Sequence, residues 1–532
     1  MDTTAQFITY SQTGVFSKIV TDYISGSSLL QPFYTFPVSV DGIKAAVAEH
    51  RKYPTDRILL HTVLKEQYSR VTVSDKVKAN IDKLLDENTF TVTTAHQPNI
   101  FTGHLYFIYK ILHAVKLAEF LNGQVPGCNF VPVYYMGSED ADLDELGHVY
   151  IGGEKLQWQT SQTGAVGRMK VDKALVKLVE QLGGQLLTEP FGASIISLTR
   201  DCYKEGVTIE QATFSLVNEL FKAYGLVVLL PDNAALKKAF IPVIEKELEE
   251  GFSHKAVEAT VSSFPKEYKV QAGGRELNLF YLTENSRERI VSENSKFKIQ
   301  NSKIGFDKTE IIKELQQHPE RFSPNVILRP VLQELLLPNI AFIGGGGELA
   351  YWLELKKVFE AAGVPYPVLV LRNSFLFVEK KYQELCAKMG FGITDLFKPE
   401  TDLVNELVKR ETTVQLGLEN EIAEMKALYG RLKKNAGAVN SSLAGHTEAL
   451  QVKAIKRIET LQQKMLRAEK KKFEARQRQL HKLKAGLFPN NNLQERIENI
   501  LPYYAKWGSG FIEMLYNNSP ALEQQFGILL GQ

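Results

Sequence analysis

Short apolar or β-branched runs, each followed by a polar or glycine-bearing turn and then a helical pattern, recur along this chain. "TFTVTTA" (89–95) reads as a strand, and 103–121 reads as an amphipathic helix that stops near Asn122-Gly123. "NFVPVYYMG" (129–137) is the next strand, completing a βαβ unit expected to be right-handed. "GLVVLLPDN" (225–233) is a further buried strand. "NIAFIGGGG" (339–347), "ELAYWLELKKVFEAAG" (348–363) and "PYPVLVLR" (365–372) repeat strand, helix, strand. Parallel strands buried on both faces and joined by helices predict a doubly wound α/β sheet.

Other textures surround this core. Residues 1–88 read as mainly helical, with "DKVKANIDKLLDEN" (75–88) the clearest helix. Stretches of about 150–200 and 260–322 read as insertions. The first is strand-like and glycine-rich to about 180; the second resembles a β-meander over 270–305. The core with its insertions is expected to span 1–400. Across 401–486, Leu418, Ile422, Met425, Tyr429 and Leu432, and then Ala454, Ile458, Leu461, Met465 and Ala468, follow heptad spacing around a turn at 433–442. Two antiparallel helices follow. A lone pair that long cannot hide both apolar faces, so a partner is expected. Residues 487–532 read as a helical segment returning to the core.

Net charge is +2 among 532 residues, 44% of them hydrophobic and 23% charged, so bulk electrostatics do not point to nucleic acid. The basic run 464–484, with nine Lys/Arg against two acids, reads as a solvated coiled-coil face. No apolar run approaches the ~20 residues needed to span a bilayer. Cys128, Cys202 and Cys386 are scattered, without metal-ligand spacing, and no basic, apolar leader is visible. The expectation is a cytoplasmic protein with no membrane partner and no tightly bound metal.

Four stretches bear chemistry. The first, "TTAHQPNIFTGH" (93–104), puts His96, Gln97, Asn99, Thr102, Gly103 and His104 between a strand end and a helix N-terminus, where anions bind readily. Thr102 as an N-cap, Gly103 as a packing residue and satisfied core histidines are the structural alternative. The second, "GSEDADLDELGHV" (137–149), holds Glu139, Asp140, Asp142, Asp144 and Glu145, suited to an amine or a Mg²⁺-nucleotide, or else to a solvated helix start. It is not an EF-hand, because Glu145 and Ile151 occupy the Gly and bidentate Glu positions. The third, "FIGGGGELAYW" (342–352), lets backbone approach a ligand through Gly344, Gly345, Gly346 and Gly347, with Glu348 at the helix start and Tyr351 one turn on, or is simply a tight turn. It is not a Walker A loop. In the fourth, "NVILRPVLQELLLP" (325–338), Arg329 either bridges to a core carboxylate or faces a ligand cavity, with Gln333 and Glu334 beside it. Arg275, Glu276 and Asn278 pose the same choice, whereas Arg287 and Arg289 read as surface strand residues.

Together "TTAHQPNIFTGHLYFIYKI", "VPVYYMGSEDADLDE", "RELNLFYL", "SPNVILRPVLQELLLPNIAFIGGGGELAYWLELK" and "LQERIENIL" resemble, in order and over almost the whole chain, the bacillithiol biosynthesis cysteine-adding enzymes. The resemblance implies a nucleotidyltransferase-type Rossmann-like core with connecting insertions, akin to class I aminoacyl-tRNA synthetases. It also implies a C-terminal antiparallel coiled coil that forms a homodimer. The implied reaction joins cysteine to the amino group of glucosaminyl malate, with ATP and Mg²⁺ activating the carboxylate.

By that analogy "FTGH" (101–104) looks like a decayed His-x-Gly-His signature, with Phe101 in place of the first His. Family members usually carry Pro where this chain has His104, and no Lys-Met-Ser-Lys-Ser string is present. The implied roles are as follows. His96, Asn99, His104 and Asp140 are catalytic, with His96, Asn99, Thr102 and His104 near the phosphates. Gln97, Gly103, Glu139, Asp142 and Asp144 bind substrate. Arg329 and Arg372 take the malate carboxylates, with Gln333 and Tyr351 alongside, and Gly344 to Glu348 floor the pocket. A non-catalytic scaffold that binds a nucleotide or small molecule and acts through the coiled coil is the alternative.

Overall fold

The computed structural model describes residues 3–293 and 296–531. Its centre is a five-stranded parallel sheet of β1 (Thr89–His96), β2 (Asn129–Met136), β3 (Val227–Leu229), β4 (Asn339–Gly344) and β5 (Val368–Leu371). The spatial order is β5-β4-β1-β2-β3. The chain therefore runs outward from β1 in one direction and restarts beside β1 in the other. In such a sheet the crevice opens past the carboxyl ends of the strands at that reversal, here between β1 and β4.

The strands are buried except for half-buried Asn129 at the start of β2, which is why they read as continuous apolar or β-branched runs. Buried threonines satisfy themselves inside the sheet: Thr94 Oγ1 donates to the Ile343 carbonyl at 2.9 Å, and Thr91 Oγ1 to Asn339 Oδ1 at 3.2 Å. Helix α1 (Leu105–Gln124) is buried on most of its circumference, and Ala114, Leu117 and Leu121 pack with Phe90, Val92, Ile340, Val368 and Val370. After β4 the single expected helix is two, α3 (Gly346–Leu353) and Lys356–Ala362; α2 (Arg329–Leu336) precedes β4.

The insertions differ in kind. The first is strand-like only through the hairpin His148–Ile151 and Glu154–Gln157. It then turns helical at Lys173–Leu186, where Leu175, Leu178, Val179, Leu182 and Leu186 keep helical spacing. The second is a five-stranded antiparallel sheet that includes Leu279–Leu282, Arg287–Glu293 and Phe322–Pro324. The N-terminal stretch is not all helix, because Thr3–Ile8 pairs antiparallel with Phe526–Gly531.

The chain divides into two compact units, residues 1–377 with 492–532, and residues 378–491. The expected boundary at 400 thus falls within the second unit. Lys484 Nζ donates there to the carbonyls of Leu396 and Lys398, so the residues before 400 belong with the helix Glu474–Leu487. The second unit carries the expected antiparallel pair, α4 (Glu419–Val439) and α5 (Ser441–Lys470). Its turn is tighter than expected: Asn440 alone reverses the chain and caps α5 through Ser442 N–H. Lys433 pairs with Glu448, and Gln462 with Glu419, along the length of the pair.

Candidate active site

Past the carboxyl ends of the parallel strands lies a cavity of about 660 Å³. All five strands feed it: Ala95, His96 and Gln97 from β1, Gly137 to Asp140 from β2, Pro231 from β3, Gly345 to Glu348 from β4 and Arg372 from β5. Tyr106 and Lys110 enter from α1 and Arg329 from α2. The second insertion closes one wall with Arg275, Leu277, Phe280, Arg287 and Arg289.

The crevice between β1 and β4 is built around a buried ammonium. Lys110 is 1% exposed, and its Nζ donates to the Ala95 carbonyl at 2.6 Å and to Glu348 Oε2. Burial pulls its pKa down, and the Glu348 carboxylate opposes that shift. Glu348 Oε2 also accepts from Gly345 N–H at 2.8 Å. Gly345 has no side chain to cap α3, so the first N–H groups of that helix are open to the cavity. A Cβ at Gly347 would meet nothing within 4 Å. His96 packs against Tyr106 and Phe107, with ring centroids at 5.4 and 5.1 Å, and its buried Nε2 has no partner among the described residues. Burial first, then Lys110, His104 and Arg372, hold His96 well below its usual pKa, so it is neutral.

The acidic corner sorts itself. Glu139 is taken by the fully buried Lys237 and by Ser323 Oγ at 2.9 Å. Its charge is balanced within the protein. Asp140 faces the cavity, held by Gln97 Nε2 at 3.1 Å and by Ala141 N–H at 2.7 Å. Glu145 lines the same side, its carboxyl pushed up by burial and then by Asp140 and Asp142. Asp142 and Asp144 lie outside the cavity. Asp142 caps a short helix through Glu145 N–H, and the Asp144 carbonyl takes His148 Nδ1.

The arginines also divide. Arg372 is 3% exposed and paired with the fully buried Glu495 at 2.6 Å, with Nη1 on Ser374 Oγ and the Asn373 carbonyl. Two of its three nitrogens are thus engaged away from any ligand. Among the described residues Arg329 bonds only neutral groups, Gln333 Oε1 at 3.1 Å and Tyr351 Oη at 3.2 Å, and lies 5.6 Å from the Tyr135 ring centre. Gln333 lies behind it, outside the cavity, donating to the buried Glu334 at 2.7 Å. Arg287 and Arg289, expected at the surface, line the cavity. The register Phe280↔Arg289 puts both arginines on one face of the strand, and the Arg287 guanidinium stacks 4.0 Å over the Phe280 ring. Among the described residues, Arg275, Arg287, Arg289 and Arg329 form no ion pair.

The turn 99–104 stands apart from the cavity. Thr102 does not cap α1; its φ is +70°, that of Phe101 is +51°, and the buried Thr102 Oγ1 has no partner among the described residues. Asn499 Nδ2 donates to the carbonyls of Phe101 and Gly103, and Tyr203 Oη accepts Phe101 N–H at 2.9 Å. A Cβ on Gly103 would lie 2.7 Å from that of Asn99. His104 precedes α1 with Nδ1 on the Ile497 carbonyl at 3.1 Å. This turn packs against the returning segment 494–499. Gly344, the last residue of β4, is likewise outside, and a Cβ built on it would lie 2.9 Å from the Phe342 ring.

Sequence reasoning missed Lys110, Lys237, Glu495 and Arg496, the last a further arginine on the cavity lining. A lone lysine within "FIYKILHAV" was the available signal for the first. No helix among the described residues is long and apolar enough to cross a membrane.

Comparison with known proteins places the chain. Residues 3–373 match the family described as "Bacillithiol biosynthesis BshC, N-terminal Rossmann-like domain", and residues 375–530 match "Bacillithiol biosynthesis BshC, C-terminal coiled-coil domain". Proteins named "Putative cysteine ligase BshC" are similar along their whole length. That of Flavobacterium johnsoniae is 38% identical over 98% of this chain and 99% of its own. Those of Flavobacterium psychrophilum and Christiangramia forsetii are 37% and 36% identical, each over 98% of both chains. With both domains matched and the parallel sheet and helical pair in place, the chain belongs to the BshC family of bacillithiol biosynthesis.

Proposed function

We propose that this protein is a ligase that joins the carboxylate of cysteine to the amino group of glucosaminyl malate, with ATP activating the carboxylate. The observation that carries the reading is the division of one cavity into an open helix start on one side and unpaired arginines on another. Backbone N–H groups at Gly346 and Gly347 suit phosphate. Arg329 and Arg289 suit the two carboxylates of a malate group, since guanidinium matches carboxylate geometry, and Arg287, whose Nε and Nη2 are held by Ser323 Oγ and the Pro324 carbonyl, adds positive charge beside them. Asp140 suits an ammonium.

The atoms balance without a further reagent. A cysteine carboxylate oxygen bonds to the α-phosphorus of ATP as pyrophosphate leaves. The sugar amine then attacks the acyl carbon as AMP leaves. The amine's proton needs a base, and Glu145, with its raised pKa, lines the acidic side. Mg²⁺ would enter with the nucleotide, and Asp140 and Glu145 are the carboxylates that could meet it. His96 is neutral and accepts or donates a hydrogen bond but carries no charge. Among the described residues of α4 and α5, Leu428, Leu432, Val439, Leu443, Leu450, Val452 and Leu461 are exposed, which suits dimerisation through that pair.

One observation favours a second reading, a binding scaffold: the turn 101–104, where synthetase-type chemistry would place its signature, packs against 494–499 instead of the cavity. Incubating the purified protein with ATP, cysteine and glucosaminyl malate and following AMP, ADP and amide separates the two. The ligase reading expects amide and AMP together. Binding of the substrates without amide supports the scaffold.

A further inference from the structure

Residues 271–278 cross the cavity mouth without regular structure, between helix Phe252–Val261 and strand Leu279–Leu282. They are fixed at two points, each by a buried carboxylate. Glu354 accepts Gln271 N–H on Oε1 and Ala272 N–H on Oε2, both at 2.7 Å. Glu247 accepts Asn278 N–H on Oε1 at 2.9 Å and Ser253 N–H on Oε2 at 3.0 Å, while Asn278 Nδ2 donates to Ser253 Oγ at 2.7 Å. Each carboxyl thus ties down two backbone N–H groups from inside the protein, so both ends are firmly held.

What lies between the anchors is held far less. Gly273, Arg275 and Glu276 are exposed, and a Cβ at Gly273 would touch nothing. The segment's further links are a 3.4 Å contact of Arg275 N–H with Asn278 Oδ1 and the Arg275 carbonyl's bond from Asn278 Nδ2. Gly273 leaves the backbone free to turn, while Gly274 lies close against His254 and Val257. The Arg275 guanidinium, without hydrogen bond or ion pair among the described residues, sits on the cavity lining beside Arg287 and Arg289.

We propose that residues 273–276 form a strap, hinged at its two carboxylate anchors, that closes over the cavity and sets Arg275 on an anionic group of the bound substrate, a carboxylate or a phosphate. This rests on reading the cavity as a substrate site, not on the amide-forming step. A strap of this kind lets ligand enter past a mobile cation and then excludes water from the reacting atoms.

The test is hydrogen exchange of the full chain, alone, with malate and with ATP. Protection of the 273–276 amides by one probe supports the strap and identifies the anion as carboxylate or phosphate. Arg275→Ala should abolish that protection and weaken the same probe about ten-fold or more. Arg275→Lys should restore part of both, and Gly273→Ala should slow closing without changing stability. The proposal is overturned if neither probe binds, if a bound probe leaves 273–276 exchanging as before, or if Arg275→Ala binds both probes like the parent. Protection without amide product would sink the ligase reading and leave the strap; amide formation at full rate in Arg275→Ala would do the reverse.

Discussion

Two glycine-bearing turns leave neighbouring strands of the same sheet and start helices, yet they are built for opposite ends. The turn after β1 is strained, with two non-glycine residues at positive φ, and its carbonyls are claimed by Asn499. Conformations of that kind cost about 1–3 kcal/mol each and persist only where surroundings enforce them. The turn after β4 is unstrained and open, with nothing over Gly347. Glycine in the first serves close packing; glycine in the second leaves room for a ligand. A run of glycine and polar residues before a helix therefore does not by itself say which use it has.

The strongest way to break this contrast is to cut the link between the two turns. Lys110 hangs from α1, below the first turn, and holds Glu348 of the second. Lys110→Ala should lower stability by about 3–5 kcal/mol in urea titration, because the partner carboxylate loses its counter-charge. A loss below about 1 kcal/mol would mean that Glu348 is solvated without it.

Next in size is a pH effect on the packing of α1. His113 Nε2 bonds the Ala521 carbonyl at 2.8 Å, and its Nδ1 accepts Asn373 N–H at 3.1 Å, so the ring is neutral with both nitrogens used. Burial lowers its pKa from 6.5 to about 4. Because the folded pKa lies below the unfolded one, the contribution is present above pH 6.5 and lost as pH falls toward 4, by roughly 3 kcal/mol. Relative to the parent, His113→Gln should show a shallower fall of unfolding free energy across that window; an identical slope would remove His113 as the source.

The last pair sharpens the comparison directly. Gly103→Ala should cost about 2–3 kcal/mol, through φ of +64° and the overlap with Asn99, while binding of ATP to the remaining folded protein is unchanged. Gly347→Ala should shift stability by less than about 0.5 kcal/mol, since open space surrounds it, yet weaken ATP. Thermal melts read with calorimetric titration distinguish them. If both variants lose stability and neither loses affinity, the two turns are alike and the distinction fails.

The elements that were readable share a physical reason. Strands buried on both faces leave continuous apolar or β-branched runs, and α1 and the helical pair keep their spacing over many turns, so β1 to β5 and the second unit are legible locally. The cavity's partners are not, because direction and distance in space leave no trace in local order. Arg287 and Arg289 look like solvent-facing alternation until the register with Phe280 fixes their face. Arg372 looks like a free cation until Glu495 arrives from over a hundred residues later. Thr102 and His104 sit six and eight residues beyond His96 in sequence, but positive φ angles carry the chain away from the crevice.

Phe377 N–H donates to Gln494 Oε1 at 3.0 Å, and Gln494 Nε2 to the Phe377 carbonyl at 3.3 Å, so the first unit's chain is stitched where the second unit departs and returns. During synthesis the ribosome must deliver that whole excursion before the stitch, the Glu495 partner of Arg372 and the strand that pairs with Thr3–Ile8 exist. At about 5–20 residues per second the nascent amino-terminal portion waits on the order of ten seconds with an unmatched guanidinium and an unpaired edge. That interval is when a chaperone has most to protect.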